Sequence, residues 1–509
     1  MGQTEITLDL KPGYSEKELL QAISESTGIS DFSYEIRHKS LDARKKRDIF
    51  WQIRVRVVSK ELKGGVPDPE PLLEIPYRKR KEKIVVVGSG PAGFFSALVL
   101  NRRGFDVTLI ERGSDVETRA ASISRFEKSG LFDDRNNYAF GEGGAGTFSD
   151  GKLTSRSKHL SLEKTFMIDR YIEAGAPPEI RYLAHPHLGS DHLRKIVRRL
   201  REIFQKEGGE IRFETRLMDL VFKKNRVVAV ICETGEIQVE AVLVAPGHSA
   251  YDTYRMLMKN GVRFRTKHFA IGCRVEHPQE LINEAQWGRK TLPGVKAAEY
   301  RLAHKGGDGF PVYTFCMCPG GVIVPATPCR HLNIVNGMSL YKRSGPFANA
   351  ACVAGVSIEA LLKREASPLE ALSYLEALEE KFFRFSNSFK APFCGISDFI
   401  QRKTPAGTRE TSYPMGILPA PLWELLPEAV SRSLTQGLET FGRKIKGFET
   451  GTILGLESKT SSPIQSVRDD QYRCMGFENL YLLGEGSGFS GGIISSGADG
   501  IKAAMRLNI

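Results

Sequence analysis

The chemistry in this chain starts from glycines. The apolar, β-branched run Ile84-Val85-Val86-Val87 ends in Gly88-Ser89-Gly90-Pro91-Ala92-Gly93. In that spacing Gly88 permits the turn and Gly90 lets a pyrophosphate reach the backbone. Gly93 lets helix and strand pack closely, and the helix opened by Pro91 and Ala92 turns its N-terminus to the phosphates. Glu111 closes the next strand-like run, 18 residues beyond Gly93, where a carboxylate can accept both hydroxyls of a ribose. Strand, glycines, helix and acid in that order predict a dinucleotide site. A second strand-glycine turn, Leu480-Tyr481-Leu482-Leu483 into Gly484-Glu485-Gly486, begins 396 positions after the first. A unit that holds only a nicotinamide nucleotide has no need of it, whereas a sheet whose first and last strands close on FAD does. Glu485 is then placed for the ribityl chain. The helix starting near Gly492 and Ile493 faces the flavin N1/O2 edge, where reduced flavin is anionic.

Two other matches to the glycine spacing read differently. Gly141–Gly146 follows no buried strand, and beyond Gly486–Gly491 no second strand remains to carry a ribose acid. No middle segment offers a strand-glycine-helix-acid unit for NAD(P)H either. The electron donor is therefore the substrate itself, a small molecule, or NAD(P)H docking transiently without a Rossmann domain of its own.

Five further stretches, Phe140–Leu153, Phe269–Pro278, Phe315–Gly321, Asn336–Ser339 and Gly484–Ile493, together with the first glycine turn, carry a family likeness. From about Lys39 onward the chain resembles the FAD-dependent dehydrogenases described as NAD(FAD)-utilising, within the glutathione-reductase-like flavoproteins. The resemblance implies an FAD oxidoreductase in which Gly141–Gly151 wraps the flavin through backbone N–H groups. Its contacts would include Gly143, Gly144, Ala145, Ser149, Asp150, Gly151 and Lys152, with Arg112 beside Glu111. It also implies that Arg119 meets the pyrophosphate, that Leu217 meets the adenine through its backbone, and that Ala245-Pro246-Gly247 ends the second dinucleotide-fold strand. One loop departs: where the family favours Glu-Thr-Arg-Thr-Ser-Ser-Pro-Val-Arg-Ile, this chain has Glu457-Ser-Lys-Thr-Ser-Ser-Pro-Ile-Gln-Ser466. Two arginines are lost, and Lys459 keeps one charge without the bidentate fork.

Catalytic groups are harder to name. Cys316 and Cys318 share a strand face and could relay electrons as a dithiol, although their Cα separation of about 6.6 Å would strain a disulfide. Packed or flavin-lining thiols are the alternative. His248, just past Pro246-Gly247, and the pair Glu276 and His277 are acid/base candidates, but a lone histidine is more often structural. Lys459 and Ser461 could bind an anionic substrate or be a solvated loop. No cysteine and histidine cluster has zinc spacing, so no metal is expected.

These residues need a scaffold. The 509 residues, 41% hydrophobic with no apolar run of membrane-spanning length, describe a multidomain globular chain with no membrane association. Eight sparse cysteines and no export signal predict reduced thiols in a cytoplasm. The expected fold is α/β. Residues 1–77 form an α+β module and 83–262 the first part of a Rossmann-like FAD domain. Residues 263–463 are an inserted mixed substrate domain, and 464–509 return to the FAD sheet. In the first module Ser15 and Glu18 make a capping box, Phe50–Val58 alternates as a strand, Lys39–Lys46 reads as a short basic helix, and 64–71 is a linker. The net charge of +12 is diffuse. It suits anionic ligands, or alternatively a sensor whose basic N-terminal module engages RNA or another polyanion. Leu193, Ile196, Val197, Leu200, Ile203 and Phe204 recur at helical spacing beneath a basic face.

Overall fold

The computed structural model describes residues 1–65, 71–155, 157, 159–307 and 309–509. Its first unit is an antiparallel sheet in the order β1 (Gly2–Leu10), β3 (Phe50–Ser59), β2 (Ser33–Asp42). Helix α1 (Glu16–Thr27) packs Leu19 and Ile23 onto it, and Ser15 and Glu18 close the expected capping box. The basic helix expected over Lys39–Lys46 is not there: through Asp42 the chain is strand, paired with β3 at Lys39↔Ile53 and Leu41↔Trp51. Ladder pairing outweighs local helix propensity. Lys39 also spreads its ammonium over the rings of Tyr14 and Trp51 at 4.8 and 4.7 Å. On its open side the Lys39 backbone exchanges hydrogen bonds with Tyr182 and Ala184, which docks the module onto the rest of the chain. Most of the expected linker core, residues 66–70, lies outside the described residues.

The second unit is the parallel sheet that the glycine turns required. Its order is Leu480–Leu482, β10 (Ala241–Val244), β4 (Lys83–Val87), β5 (Asp106–Ile110), β6 (Glu210–Arg212), every neighbouring pair parallel. One strand, β10, thus stands between the strand Leu480–Leu482 and the first strand of the nucleotide unit. Helix α2 (Pro91–Arg102) and the C-terminal helix Ile493–Arg506 cross on one face so tightly that a Cβ at Gly500 would lie 2.1 Å from the Ala92 carbonyl oxygen. A Cβ at Gly93 would lie 1.8 Å from the oxygen of Gly88, the close helix–strand contact its position predicts. Helices α3 (Val116–Ser129), α4 (Ser161–Glu173) and α5 (Gly189–Lys206) follow, the last burying Leu193, Ile196, Leu200 and Phe204 of its apolar face and leaving Val197 and Ile203 half-buried at the edge of that face. Between β6 and the next strand the chain turns at Glu214, whose backbone is left-handed at φ 53°. Beyond it a meander, β7 (Leu217–Lys223), β8 (Arg226–Cys232) and β9 (Gly235–Gln238), covers the sheet before β10.

A third unit, between α6 (Tyr251–Lys259) and the return at Leu480, is a seven-stranded sheet. Its central strands are Val312–Cys318, Phe347–Val356, Phe269–Pro278 and Thr452–Glu457, all antiparallel to their neighbours. Phe269–Pro278 is buried along nearly its whole length: Phe269, Ile271, Cys273 and Val275 join the main core of the unit, and Ala270 packs with Ala351 and Val353 in a smaller cluster. The helix crossing generates one prediction. Gly500→Val puts side-chain atoms where the Ala92 carbonyl stands, so the helices must part, at a cost of about 1–3 kcal/mol for overpacking. The denaturant midpoint should fall accordingly, and an unchanged midpoint would contradict the crossing.

Candidate functional site

The C-terminal edge of the parallel sheet opens into one cavity. One wall is the sheet edge: Gly88, Gly90, Pro91 and Ala92 after β4, Glu111 and Arg112 after β5, Leu217 of β7, and Ala245–Ser249 after β10. Gly484, Glu485, Gly492 and Ile493 extend it, and Gly144, Ala145, Ser149, Asp150, Gly151 and Lys152 curl over it. The facing wall comes from the seven-stranded unit: Phe315, Cys316, Cys318, Asn336, Gly337, Glu457, Lys459 and Thr460. Both glycine turns therefore meet at one space, as their spacing predicts.

The turn is built for close approach to the backbone. Gly88 is left-handed at φ 91°, and a Cβ there would strike the Ala245 oxygen at 2.3 Å. Gly90 faces Gly144, whose added Cβ would come within 3.0 Å of the Gly90 Cα, so the turn and the covering loop touch with no side chains between them. Gly247 and Gly492, at φ 68° and 80°, have open space where a Cβ would stand.

Several expected contacts turn out differently. Glu111 lines the cavity, but its carboxylate is already full. One oxygen accepts from Ser89 N at 2.9 Å and Ser89 Oγ at 2.8 Å, the other from Gly113 N at 3.0 Å and Gly141 N at 3.2 Å. A carboxylate offers about four lone-pair positions, so a ribose hydroxyl can bind only if the mobile Ser89 hydroxyl swings away. Arg119 is not on the cavity wall. Its guanidinium is buried behind the covering loop and donates to the carbonyls of Asn137, Tyr138, Gly141, Glu142 and Gly144 at 2.8–3.3 Å. Burial lowers its pKa to about 10, which still leaves it charged at neutral pH. Gly93 and Gly143 pack rather than line: a Cβ at Gly143 would meet Thr147 Oγ1 at 2.1 Å. Arg112 does line the cavity, stacked 4.2 Å over Phe140 and 3.2 Å from Asp252.

The charged groups of the facing wall are paired. Lys459 Nζ lies 2.8 Å from Glu379 Oε1 and also reaches the Tyr251 hydroxyl, while Ser458 donates to the same carboxylate oxygen at 2.6 Å. Lys459 is thus the buried partner of an acid, not a free anion site. Lys152 pairs with Asp150 at 2.6 Å, and Arg343 grips Asp150 through two nitrogens. Burial alone would raise the Asp150 pKa, but Lys152 and Arg343 hold it well below the usual carboxylate range. Arg274, fully buried, joins Glu457 at 2.8 Å to Asn336 and Asn349, each at 3.0 Å. Glu276 and His277 lie away from the cavity. Glu276 accepts from Ser412, and His277 stacks on Phe448 with its pKa pushed by burial down to about 4.

Cys316 and Cys318 do share the wall. The ladder slips between Phe315 and Cys318, and Cys316 is left-handed at φ 42°, a bulge that turns its side chain to the cavity. The Cys318 thiol donates to the Cys316 carbonyl at 3.3 Å. Crowding by protein atoms, and then Cys318, raise the Cys316 pKa, although the side chain is exposed to the open cavity. His248 sits 3.3 Å from Glu485 through Nδ1. Thr215, Phe140, Asn336, Glu457 and Thr460 also line the space without having been singled out. Phe140 and Asn336 stood inside the family-like stretches, and Glu457 and Thr460 in the loop that departs from the family, which was the only signal for them.

Two predictions follow from these protonation states. Thiol titration before and after anaerobic reduction of the protein should give the same count, and a gain of two thiols on reduction would establish a dithiol centre. The second concerns Glu142 in the covering loop, which accepts from Val116 N at 2.7 Å and lies 3.0 Å from Arg201. Burial raises its pKa from 4.5 to about 7, against the pull of Arg201. Between those values the folded state holds a proton that the unfolded chain has lost, so stability falls as pH rises from about 4.5 to 7 and is level above. Glu142→Gln should lack that slope in Tm against pH, and parallel curves would refute it.

The family described as "FAD-dependent protein, C-terminal domain-like" matches residues 268–460, a domain of unknown function matches 1–58, and an NAD(P)-binding Rossmann-like domain matches 86–148. An "Uncharacterized protein" of Clostridium beijerinckii (strain ATCC 51743 / NCIMB 8052) is 38% identical over 522 residues, 99% of this chain and 97% of that one. Among solved structures, FqzB is 14% identical with a TM-score of 0.37, covering 85% of this chain and 75% of its own. CtdE in complex with FAD is 12% identical at 0.32, covering 84% and 82%. A geranylgeranyl bacteriochlorophyll reductase-like protein from Thermoplasma acidophilum is 10% identical at 0.37, covering 84% and 79%. The residues here fit FAD: side-chain-free turns from both ends of the chain meet at one cavity, and two helix N-termini open on its wall. The chain belongs to the same family as the Clostridium beijerinckii protein, carries the C-terminal domain of FAD-dependent proteins, and is a flavoprotein of oxidoreductase type whose cofactor is FAD.

Proposed function

We propose that this chain is a dehydrogenase that transfers a hydride between a small molecule, or NAD(P)H docking transiently, and FAD bound without a covalent link. The observation that carries the reading is the single cavity shared by both glycine turns and by the strand Val312–Cys318 of the facing unit. FAD supplies a two-electron acceptor, and the protein supplies orientation, electrostatics and exclusion of water. Gly90 and Gly144 would let the pyrophosphate lie against the backbone, Leu217 and Arg112 would flank the adenosine end, and the N-terminus of Ile493–Arg506 would face the flavin. Glu485 would hold the ribityl chain with the oxygen not turned to His248. The facing wall, with its paired charges, would form the substrate side.

The reading of the N-terminal module as a polyanion site has less support, because several of its basic residues are paired with nearby acids. Arg56 lies 3.7 and 3.6 Å from Glu5 and Glu35, Lys11 lies 2.6 Å from Asp48, and Arg44 pairs with Asp42. Among the described residues no helix is long and apolar enough to cross a membrane, and the eight cysteines are free thiols. Both suit the reducing cytoplasm in which we place the protein.

Purified protein should be yellow, and its FAD should bleach under anaerobic stopped-flow mixing with NADH, NADPH or a member of a metabolite panel. Gly90→Val should cut the FAD content at least tenfold by filling the space against Gly144. A wild-type protein that takes up no FAD, or a Gly90→Val variant with the full complement, would overturn the proposal.

A further inference from the structure

Behind the facing wall stands one fully buried guanidinium, and each of its hydrogens is taken. Arg274 Nε donates to Asn349 Oδ1 at 3.0 Å. Nη1 donates to Asn336 Oδ1 at 3.0 Å and to Glu457 Oε2 at 2.8 Å, and Nη2 to the Cys316 carbonyl at 2.6 Å and the Cys318 sulfur at 3.7 Å. A guanidinium has five N–H groups and accepts nothing, so it fixes which end of Asn336 and which oxygen of Glu457 turn inward. Asn336 Oδ1 also accepts from Gly337 N at 2.7 Å. The opposite ends are left over: Nδ2 of Asn336 and Oε1 of Glu457. Neither has a hydrogen-bond partner among the described residues, and neither is shut away from the space in front of it. Both residues line the cavity.

The two open atoms belong to neighbouring groups. The two hydrogens of one guanidinium nitrogen diverge by about 120°, which sets the oxygens they hold about 5 Å apart. Gly337 makes room for this, since a Cβ there would stand 2.2 Å from Arg274 Nη2. Glu457 is only 2% exposed, and a carboxylate oxygen so deep without a donor calls for one from the cavity. Burial raises the Glu457 pKa, while Arg274 and then His248 pull it back. The charge of Glu457 is thus answered from behind by Arg274. The lysines and the arginine of the wall are answered as well: Lys152 by Asp150, Lys459 by Glu379, Arg112 by Asp252. Asn336 and Glu457 therefore present one fixed donor and one fixed acceptor, side by side, with no charge left to match.

Resting on the FAD reading above, we propose that Asn336 and Glu457 select an uncharged group of the substrate that both takes and gives a hydrogen bond, a carboxamide or a hydroxyl. Asn336 Nδ2 donates to its oxygen, and Glu457 Oε1 accepts its N–H or O–H. A carboxylate has no hydrogen for Glu457 and meets a like charge. An ammonium group has no lone pair for Asn336. Arg274 is the positioning residue, because it decides which end of each side chain faces the ligand.

The test uses the holoprotein and two variants, Glu457→Gln and Asn336→Asp, with the FAD-to-protein ratio measured first. The probes differ in one group: benzamide, benzyl alcohol, benzoate and benzylammonium, each titrated while the absorbance of the bound FAD is followed. In the wild type a neutral probe should bind, with benzoate and benzylammonium at least about tenfold weaker, the cost of leaving one buried polar atom unpaired. The stronger of the two neutral probes then tells carboxamide from hydroxyl. In Glu457→Gln the amide oxygen stays on Arg274 and its NH₂ turns to the cavity. Two donors then face the ligand, so benzoate should become the tightest probe and benzamide should weaken about tenfold. In Asn336→Asp two acceptors face it, and benzylammonium should become the tightest. Both variants should keep full FAD content. Binding of neither neutral probe, or preference for a charged one in the wild type, overturns the proposal. So does an unchanged order of preference in either folded variant. Loss of FAD from either would make these residues cofactor ligands and also overturn it. A wild-type protein without FAD refutes the underlying flavin reading instead.

Discussion

The covering loop of the cavity depends on one buried cation. Residues 136–152 contain little regular structure beyond a single turn, Ala145–Phe148, so their carbonyls have no ladder to satisfy them. Arg119 takes five of those carbonyls at once, and its planar fork is what makes the arrangement rigid. The approach is so close that a Cβ at Gly141 would stand 2.4 Å from Arg119 Cδ. From behind, Glu111 ties the same loop to the first glycine turn by accepting from both Ser89 and Gly141. A cation and an acid that look like ligands for a nucleotide are thus spent largely on shaping the surface that meets it.

The two halves of the molecule are joined by charge as well as by packing. Asp150 in the covering loop accepts from Arg343 and Ser339, both in the segment that follows the strand Val335–Met338, and Lys152 reaches across to the Met317 carbonyl. Buried pairs of this kind are weak sources of net stability, but breaking one partner is costly. Their effect is to set where the facing wall stands relative to the sheet edge. The Arg274–Glu457 pair does the same within the facing unit, placing Asn336 and the Cys316 carbonyl around one guanidinium.

The nucleotide half was legible because its signals are local. A β-branched run, three spaced glycines and an acid at a strand end each report a backbone requirement that few residue types can meet. The strand at Leu480 and its place beside β10 could be anticipated only because a second glycine turn needed a sheet to sit on. The place of Arg119, behind the covering loop and not on the cavity wall, was missed for a different reason. Charge and position say that a group is near the cofactor, but not which of two acceptors, a ligand or a neighbouring carbonyl, claims it. Lys459 illustrates the same limit, since Glu379 lies 80 positions earlier and nothing local links them. The strand at Lys39–Asp42 was missed because its partner residues, Phe50–Ile53, outweigh its own composition.

The order of strands has a consequence for synthesis. Four of the five parallel strands are made by residue 244, yet β10 keeps one edge bare until Leu480 leaves the ribosome. For that whole interval the growing polypeptide exposes an unpaired β-edge, the feature that most readily recruits another chain. Crowded translation of this message would be guarded by whatever holds nascent chains apart, and slowing its final stretch would lengthen the exposure.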